Sequence, residues 1–128
     1  MAKRTGKAGK ASVWGRLREF ALGLPGAWED FPWGEVVIKV NKKVFVFLGT
    51  EDAEAVAMSV KLTDHELHEH ALSLPGAAPT GYGLGRAGWV SVPLEAAEAD
   101  VLLDWIEESY RTVAPKKLLA GLDDTRKA

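Results

Sequence analysis

The sequence predicts an α+β fold: a two-layer sandwich with a mostly antiparallel sheet of about five strands and helices at both ends of the chain packed on one face. Three observations predict it. Residues 36–62 form short apolar runs that alternate with a period of two, as strands do, and their connections are too brief for parallel crossovers. Residues 13–24 and about 95–113 repeat their apolar side chains every three or four positions, as helices do. The resulting order is helix, three strands, helix, one or two strands, helix, which leaves the second sheet face uncovered.

Each element has its own signal. Residues 1–11, MAKRTGKAGKA, are basic, small and aperiodic, and predict a disordered arm. Ser12 suits a helix N-cap, Val13, Leu17, Phe20 and Leu24 then form a stripe beside Trp14 and Ala21, and Pro25-Gly26 stops the helix. In EVVIKVNKKVFVFLG, Val36, Ile38 and Val40 alternate with Val37 and Lys39, the chain turns at Asn41-Lys42-Lys43, and Val44–Leu48 returns as a second strand. A third strand over 55–62 places Val56, Met58, Val60 and Leu62 on one face. Thr63 and Glu66 read as a capping box for a second helix, with Leu67, Ala71 and Leu74 as its stripe and Pro75-Gly76 as its end. ALGLPGA at 21–27 and ALSLPGA at 71–77 are one helix-stop sequence used twice; nothing else repeats. Tyr82 and Leu84 then end a strand, Gly85–Gly88 turn, and Trp89 opens the strand WVSV. The last helix, 95–113, gathers Val101, Leu102, Trp105, Ile106 and Val113 on one side, Pro115 limits it, and residues 121–128 are expected to fray. One domain, 12–120, results.

A chain of 128 residues with 47% apolar residues suits one packed core. The absence of cysteine excludes disulfides and thiolate metal sites. No apolar run is long enough to span a bilayer, so a cytoplasmic protein is expected. The net charge of −2 hides an uneven distribution: residues 36–48 carry Lys39, Lys42 and Lys43 without an acid, and residues 109–118 carry Arg111, Lys116 and Lys117 without an acid. The acids gather in 51–69 and 95–108.

Catalytic and cofactor motifs fail on context. Gly83, Gly85 and Gly88 spell the G-x-G-x-x-G of dinucleotide loops, but here the motif opens a strand, not the helix whose N-terminus meets a pyrophosphate. HELHEH at 65–70 misses H-E-x-x-H, because Glu69 stands four residues after His65, and no further histidine completes a zinc site. No serine sits in a nucleophile elbow. The sequence therefore predicts no enzyme, cofactor or metal. What remains is cations near aromatics: Lys39, Lys42 and Lys43 on one hairpin, Arg86 on another, and Trp33, Tyr82 and Trp89 close by. Cationic hairpin tips are how wings reach nucleic-acid phosphates.

FPWGEVVIKVNKKVFVFL, SVKLTDHELHEH, GYGLGRAGWVSVPL and SYRTVAPKKL resemble, in order, successive segments of the MmcQ/YjbR-like family. The resemblance covers about residues 13–120. It implies a CyaY-like (frataxin-like) sandwich and weak binding of double-stranded DNA by a double wing. Lys39 and Lys43 fall where the family often carries lysine, and Arg86 falls at the often basic second turn. Trp33, Trp89 and Tyr110 fall on recurrent aromatics, whose first role is expected to be packing. Gly85 and Gly88 replace polar residues common in the family's second turn. The phosphate-contacting set expected from charge and resemblance together is Lys39, Lys42, Lys43, Arg86, Arg111, Lys116 and Lys117. The alternative expectation is a protein- or small-ligand-binding module that uses the open sheet face. Metal handling by analogy with frataxin fits less well, because the first helix carries Arg16 and Arg18 where frataxins are acidic.

Overall fold

The computed structural model describes residues 5–51 and 56–127, with side chains over 13–51 and 56–124. The chain forms α1 (Thr5–Leu22), β1 (Ala27–Asp30), β2 (Val36–Val40), β3 (Lys43–Gly49), β4 (Ala57–Lys61), α2 (His65–Leu72), β5 (Ala78–Pro79), β6 (Trp89–Pro93), α3 (Ala99–Val113) and α4 (Lys116–Lys127). The strands make one antiparallel sheet in the order β1-β2-β3-β4-β6-β5. This is the α+β class that the periodicities predict, with six strands where about five are expected. No described helix is long and apolar enough to cross a membrane.

Cross-strand partners share a face, so the register sorts the side chains. Ile38, Val46, Val60 and Val90 form one row across four strands, buried beneath the helices. Leu17 and Ala21 of α1 and Leu102, Ile106 and Tyr110 of α3 meet that row in a single core. The alternate row, Val37, Phe47, Ser59 and Ser91, lies on the face away from it.

Strand β3 breaks the alternation twice. Ile38 pairs with Val46 but Lys39 pairs with Val44, so Phe45 is an extra residue; between the Val37–Phe47 and Val36–Gly49 pairs, Leu48 is another. Both are β-bulges, and both extra side chains are completely buried in the core. A bulge also removes backbone groups from the ladder, and buried ones need other partners. The helices supply them. Ser109 Oγ on α3 donates to the Phe45 carbonyl at 2.5 Å and accepts the Lys61 N–H at 2.9 Å. Trp14 Nε1 on α1 donates to the Leu48 carbonyl at 2.9 Å. Beside Ser109, Tyr110 stacks edge-on against Phe45 at 5.2 Å and donates its hydroxyl to the Pro25 carbonyl at 2.6 Å.

Several boundaries differ from the sequence reading. Helix α1 starts at Thr5, before Ser12, and takes in residues 5–11 of the predicted arm, where Lys7, Ala8, Lys10 and Ala11 favour helix; residues 1–4 lie outside the described residues. Asp64, not Thr63, caps α2, its side chain accepting the Leu67 N–H at 3.1 Å. The last long helix begins at Ala99, after a short turn over Leu94–Ala96. The predicted fraying tail is instead α4, helical to Lys127, because Leu122 is buried in the core.

Ser109→Ala should leave the Phe45 carbonyl and the Lys61 N–H without a partner. We expect a loss of about 1–3 kcal/mol and a Tm lowered by roughly 5 °C or more, read by circular dichroism. An unchanged Tm would show that the bulge does not need the hydroxyl.

Candidate nucleic-acid interface

The antiparallel register brings two loops to one end of the sheet. The β2–β3 tip, Asn41-Lys42, closes between the paired residues Val40 and Lys43. Val46 pairs with Val60 and Lys61 with Trp89, so the chain enters β6 from that same end. Counting strands, the tip and the loop over 80–88 stand roughly three strand spacings apart, or about 14 Å.

At the tip, Asn41 adopts a positive φ of 57° and permits a two-residue turn. Lys42 and Lys43 are exposed and have no ion-pair partner among the described residues. An open groove lined by Val40, Asn41, Lys42, Lys43, Val113 and Pro115 joins the tip to the α3–α4 junction. Lys116 and Lys117 follow Pro115 directly, exposed and likewise unpaired among the described residues. Two of the seven predicted cations therefore line the groove, and two more follow its Pro115 wall in the chain.

The second loop is not the predicted strand end at Tyr82 and Leu84. Tyr82 has a φ of 59°, incompatible with a strand, and a 3-10 turn spans Leu84–Ala87. The Gly85 N–H donates to the Thr80 carbonyl at 3.0 Å and folds the loop back directly after β5. A Cβ on Gly85 would stand 2.8 Å from Pro79 Cβ, and one on Gly88, at φ +98°, would stand 3.2 Å from the Leu62 carbonyl. These glycines permit close backbone packing. Arg86 is exposed on this loop, away from the groove but at the same sheet end.

The other two cations are engaged elsewhere. Lys39 Nζ lies 2.8 Å from Asp30 Oδ2 and 5.1 Å from the centre of the Trp28 ring, on the open sheet face. Its hydrogen bond, with one from the Phe31 N–H, holds the Asp30 carboxyl below its ordinary value. Arg111 reaches Asp123 and Glu107, each at 2.9 Å, and those hydrogen bonds raise its own pKa. Both charges are compensated within the fold. Arg18 and Glu29 make a similar two-point pair that ties α1 to β1.

The aromatics divide. Trp89 and Tyr110 are buried, with Trp89 edge-on to Phe47 at 5.2 Å. Trp33 is 91% exposed on the Pro32–Gly34 turn at the far end of the sheet, so packing is not its role. A chain of hydroxyls on the open face, Ser59 to Ser91 at 2.7 Å and Ser91 to Thr80 at 3.0 Å, carries no sequence signal beyond alternation. Two of the histidines make contacts within the fold: His68 Nδ1 lies 3.0 Å from the Leu62 carbonyl and His70 packs edge-on to Trp105. Among the described residues, no group of three acids or histidines is placed to hold a metal ion.

Residues 22–112 match the family model for YjbR. The chain belongs to the YjbR family. Two solved structures resemble this YjbR domain. The Deinococcus radiodurans protein DR2400, with a DUF419 domain, is 27% identical at a TM-score of 0.64, covering 76% of this chain and 75% of that one. A Pseudomonas syringae protein is 20% identical at a TM-score of 0.61, covering 77% and 96%. Among curated proteins none matches.

The depressed Asp30 carboxyl gives a pH test of the Lys39 pairing in this YjbR domain. A folded-state pKa below the unfolded value stabilises the fold above the ordinary aspartate range, near pH 4. That contribution is lost as pH falls through the depressed value. Asp30→Asn should be less stable than the native chain at pH 7, and the gap should narrow as pH falls below the ordinary aspartate range. Urea denaturation across that range measures it; a gap that stays constant in acid would refute the ionic origin.

Proposed function

We propose that this YjbR domain is a non-catalytic, cytoplasmic DNA-binding module that holds double-stranded DNA weakly through phosphate contacts. The observation that carries the reading is that Lys42 and Lys43 line a groove at one sheet end whose far wall, Pro115, is followed directly by Lys116 and Lys117, all four exposed and without ion-pair partners among the described residues. Arg86, on the neighbouring loop, adds a second point of contact. Lysines are point charges suited to phosphate and carry no base code. The binding is therefore weakly sequence-dependent. A net charge of −2 opposes approach by any other surface and keeps affinity low. Lys39 and Arg111, already neutralised, are not part of the contact set.

The open sheet face supports a second reading as a site for a protein or small ligand. Trp28 and Phe31 are 43% and 56% exposed there and at its margin.

Fluorescence anisotropy with a short duplex across a salt series separates the two. Five phosphate contacts, from the four lysines and Arg86, predict a log–log salt slope of about −4.5. Replacing Lys42 and Lys43 by alanine should weaken binding and reduce the slope by about 2. Lys39→Ala and Arg111→Ala should change affinity less than twofold. No binding at low salt, or binding indifferent to Lys42 and Lys43, would overturn the proposal.

A further inference from the structure

Tyr82 is fully exposed, and its hydroxyl makes no hydrogen bond among the described residues. It occupies the first central position of the turn Gly81–Leu84, which the Leu84 N–H closes on the Gly81 carbonyl at 3.1 Å. Tyr82 at φ 59° and Gly83 at φ 81°, ψ −5° have the dihedrals of a type I′ turn. That position favours glycine, asparagine or aspartate, which tolerate the left-handed region. Tyrosine therefore serves neither the backbone nor the core. A side chain held in strained backbone where nothing in the fold requires it is a pointer to function.

The surroundings say what kind. Bonds from Gly85 N–H to the Thr80 carbonyl, Arg86 N–H to Gly83 and Gly88 N–H to Gly85 brace the loop, so the ring is presented on a fixed support. Arg86 stands exposed four residues on, and the segment 81–88 contains no acid. Trp33 is presented by a similar turn, at φ 61° with Gly34 at φ 82°, but at the opposite end among Glu29, Asp30 and Glu35. The Tyr82 turn is the one that shares its sheet end with Lys42 and Lys43. An exposed aromatic face on a loop that also carries an exposed guanidinium matches an unpaired nucleobase and its phosphate. In continuous duplex the bases are already stacked, and engaging one requires unstacking.

We infer that Tyr82 stacks on an unpaired nucleobase, so that the domain prefers DNA with a single-stranded gap over continuous duplex. This rests on the DNA-binding reading above and names its substrate class. The test compares a duplex with the same duplex carrying a three-nucleotide gap with 2-aminopurine in it. The native chain should bind the gapped DNA roughly tenfold more tightly and quench the 2-aminopurine. Tyr82→Asn, which suits the turn but lacks the ring, should lose the preference and the quench while keeping duplex affinity and Tm. Tyr82→Phe should keep both. Equal native affinity for the two DNAs, or a preference that survives Tyr82→Asn, overturns the inference while leaving duplex binding intact and points to a protein partner for the ring. Binding to neither DNA overturns both readings. Gap binding that depends on Tyr82 without measurable duplex binding supports this inference alone.

Discussion

The sheet depends on two carbonyls that its own ladder cannot satisfy. Each bulge in β3 adds an apolar side chain to the core, Phe45 or Leu48, and each turns a carbonyl out of register. Ser109 on α3 takes one and Trp14 on α1 takes the other. Burying an unpaired carbonyl costs on the order of 1–3 kcal/mol, a sizeable share of a small domain's stability. The two helices are thus bonded to the middle strand as well as packed on it. No buried side-chain nitrogen or oxygen among the described residues is left without a partner, which fits a core whose polar groups all act as ties.

These ties set the geometry of the sheet end. Ser109 also holds the Lys61 N–H, just where the β3–β4 pairing stops after Val46–Val60. Its neighbour Tyr110 reaches the Pro25 carbonyl, fixing the exit from α1. One helical turn further, Val113 and Pro115 meet the β2–β3 tip in the groove. The register that sends Lys61 to Trp89 aims the second loop the same way. The placement of the lysines therefore follows from how α3 is anchored in the core.

The large apolar periodicities made the fold class legible, since burying a stripe every 3.6 residues or an alternate row leaves few arrangements. The bulges were hidden because Val44–Leu48 is apolar throughout and any register through it looks equally good. Strand β1 was hidden because Trp28, Glu29 and Asp30 are half-exposed edge residues with no apolar alternation. The cation list was read from charge and family resemblance, and neither shows a charge its partner. Lys39 meets Asp30 nine residues away and Arg111 meets Asp123 across the α3–α4 junction, while Glu107, four residues before Arg111 on one helix, was the single partner that spacing could reveal. Trp33 and Tyr82 were misread for a related reason. Trp33 was expected to pack and Tyr82 to end a strand, whereas each sits at positive φ before a glycine, in a turn that presents the aromatic outward.

Distance and screening decide how two such loops act together. At physiological salt the Debye length is about 8 Å, shorter than the roughly 14 Å between the lysine tip and the Arg86 loop. Each then responds mainly to the charge directly in front of it and only weakly to the other. A domain with net negative charge can in this way present cationic loops without global attraction to anions. Adding cations elsewhere on the surface would raise non-specific attraction without adding contacts that the rigid sheet could bring to bear together. The compensation of Lys39 and Arg111 by carboxylates fits that logic: these two cations are paired within the fold, while Lys42 and Lys43 at the tip have no ion-pair partner among the described residues.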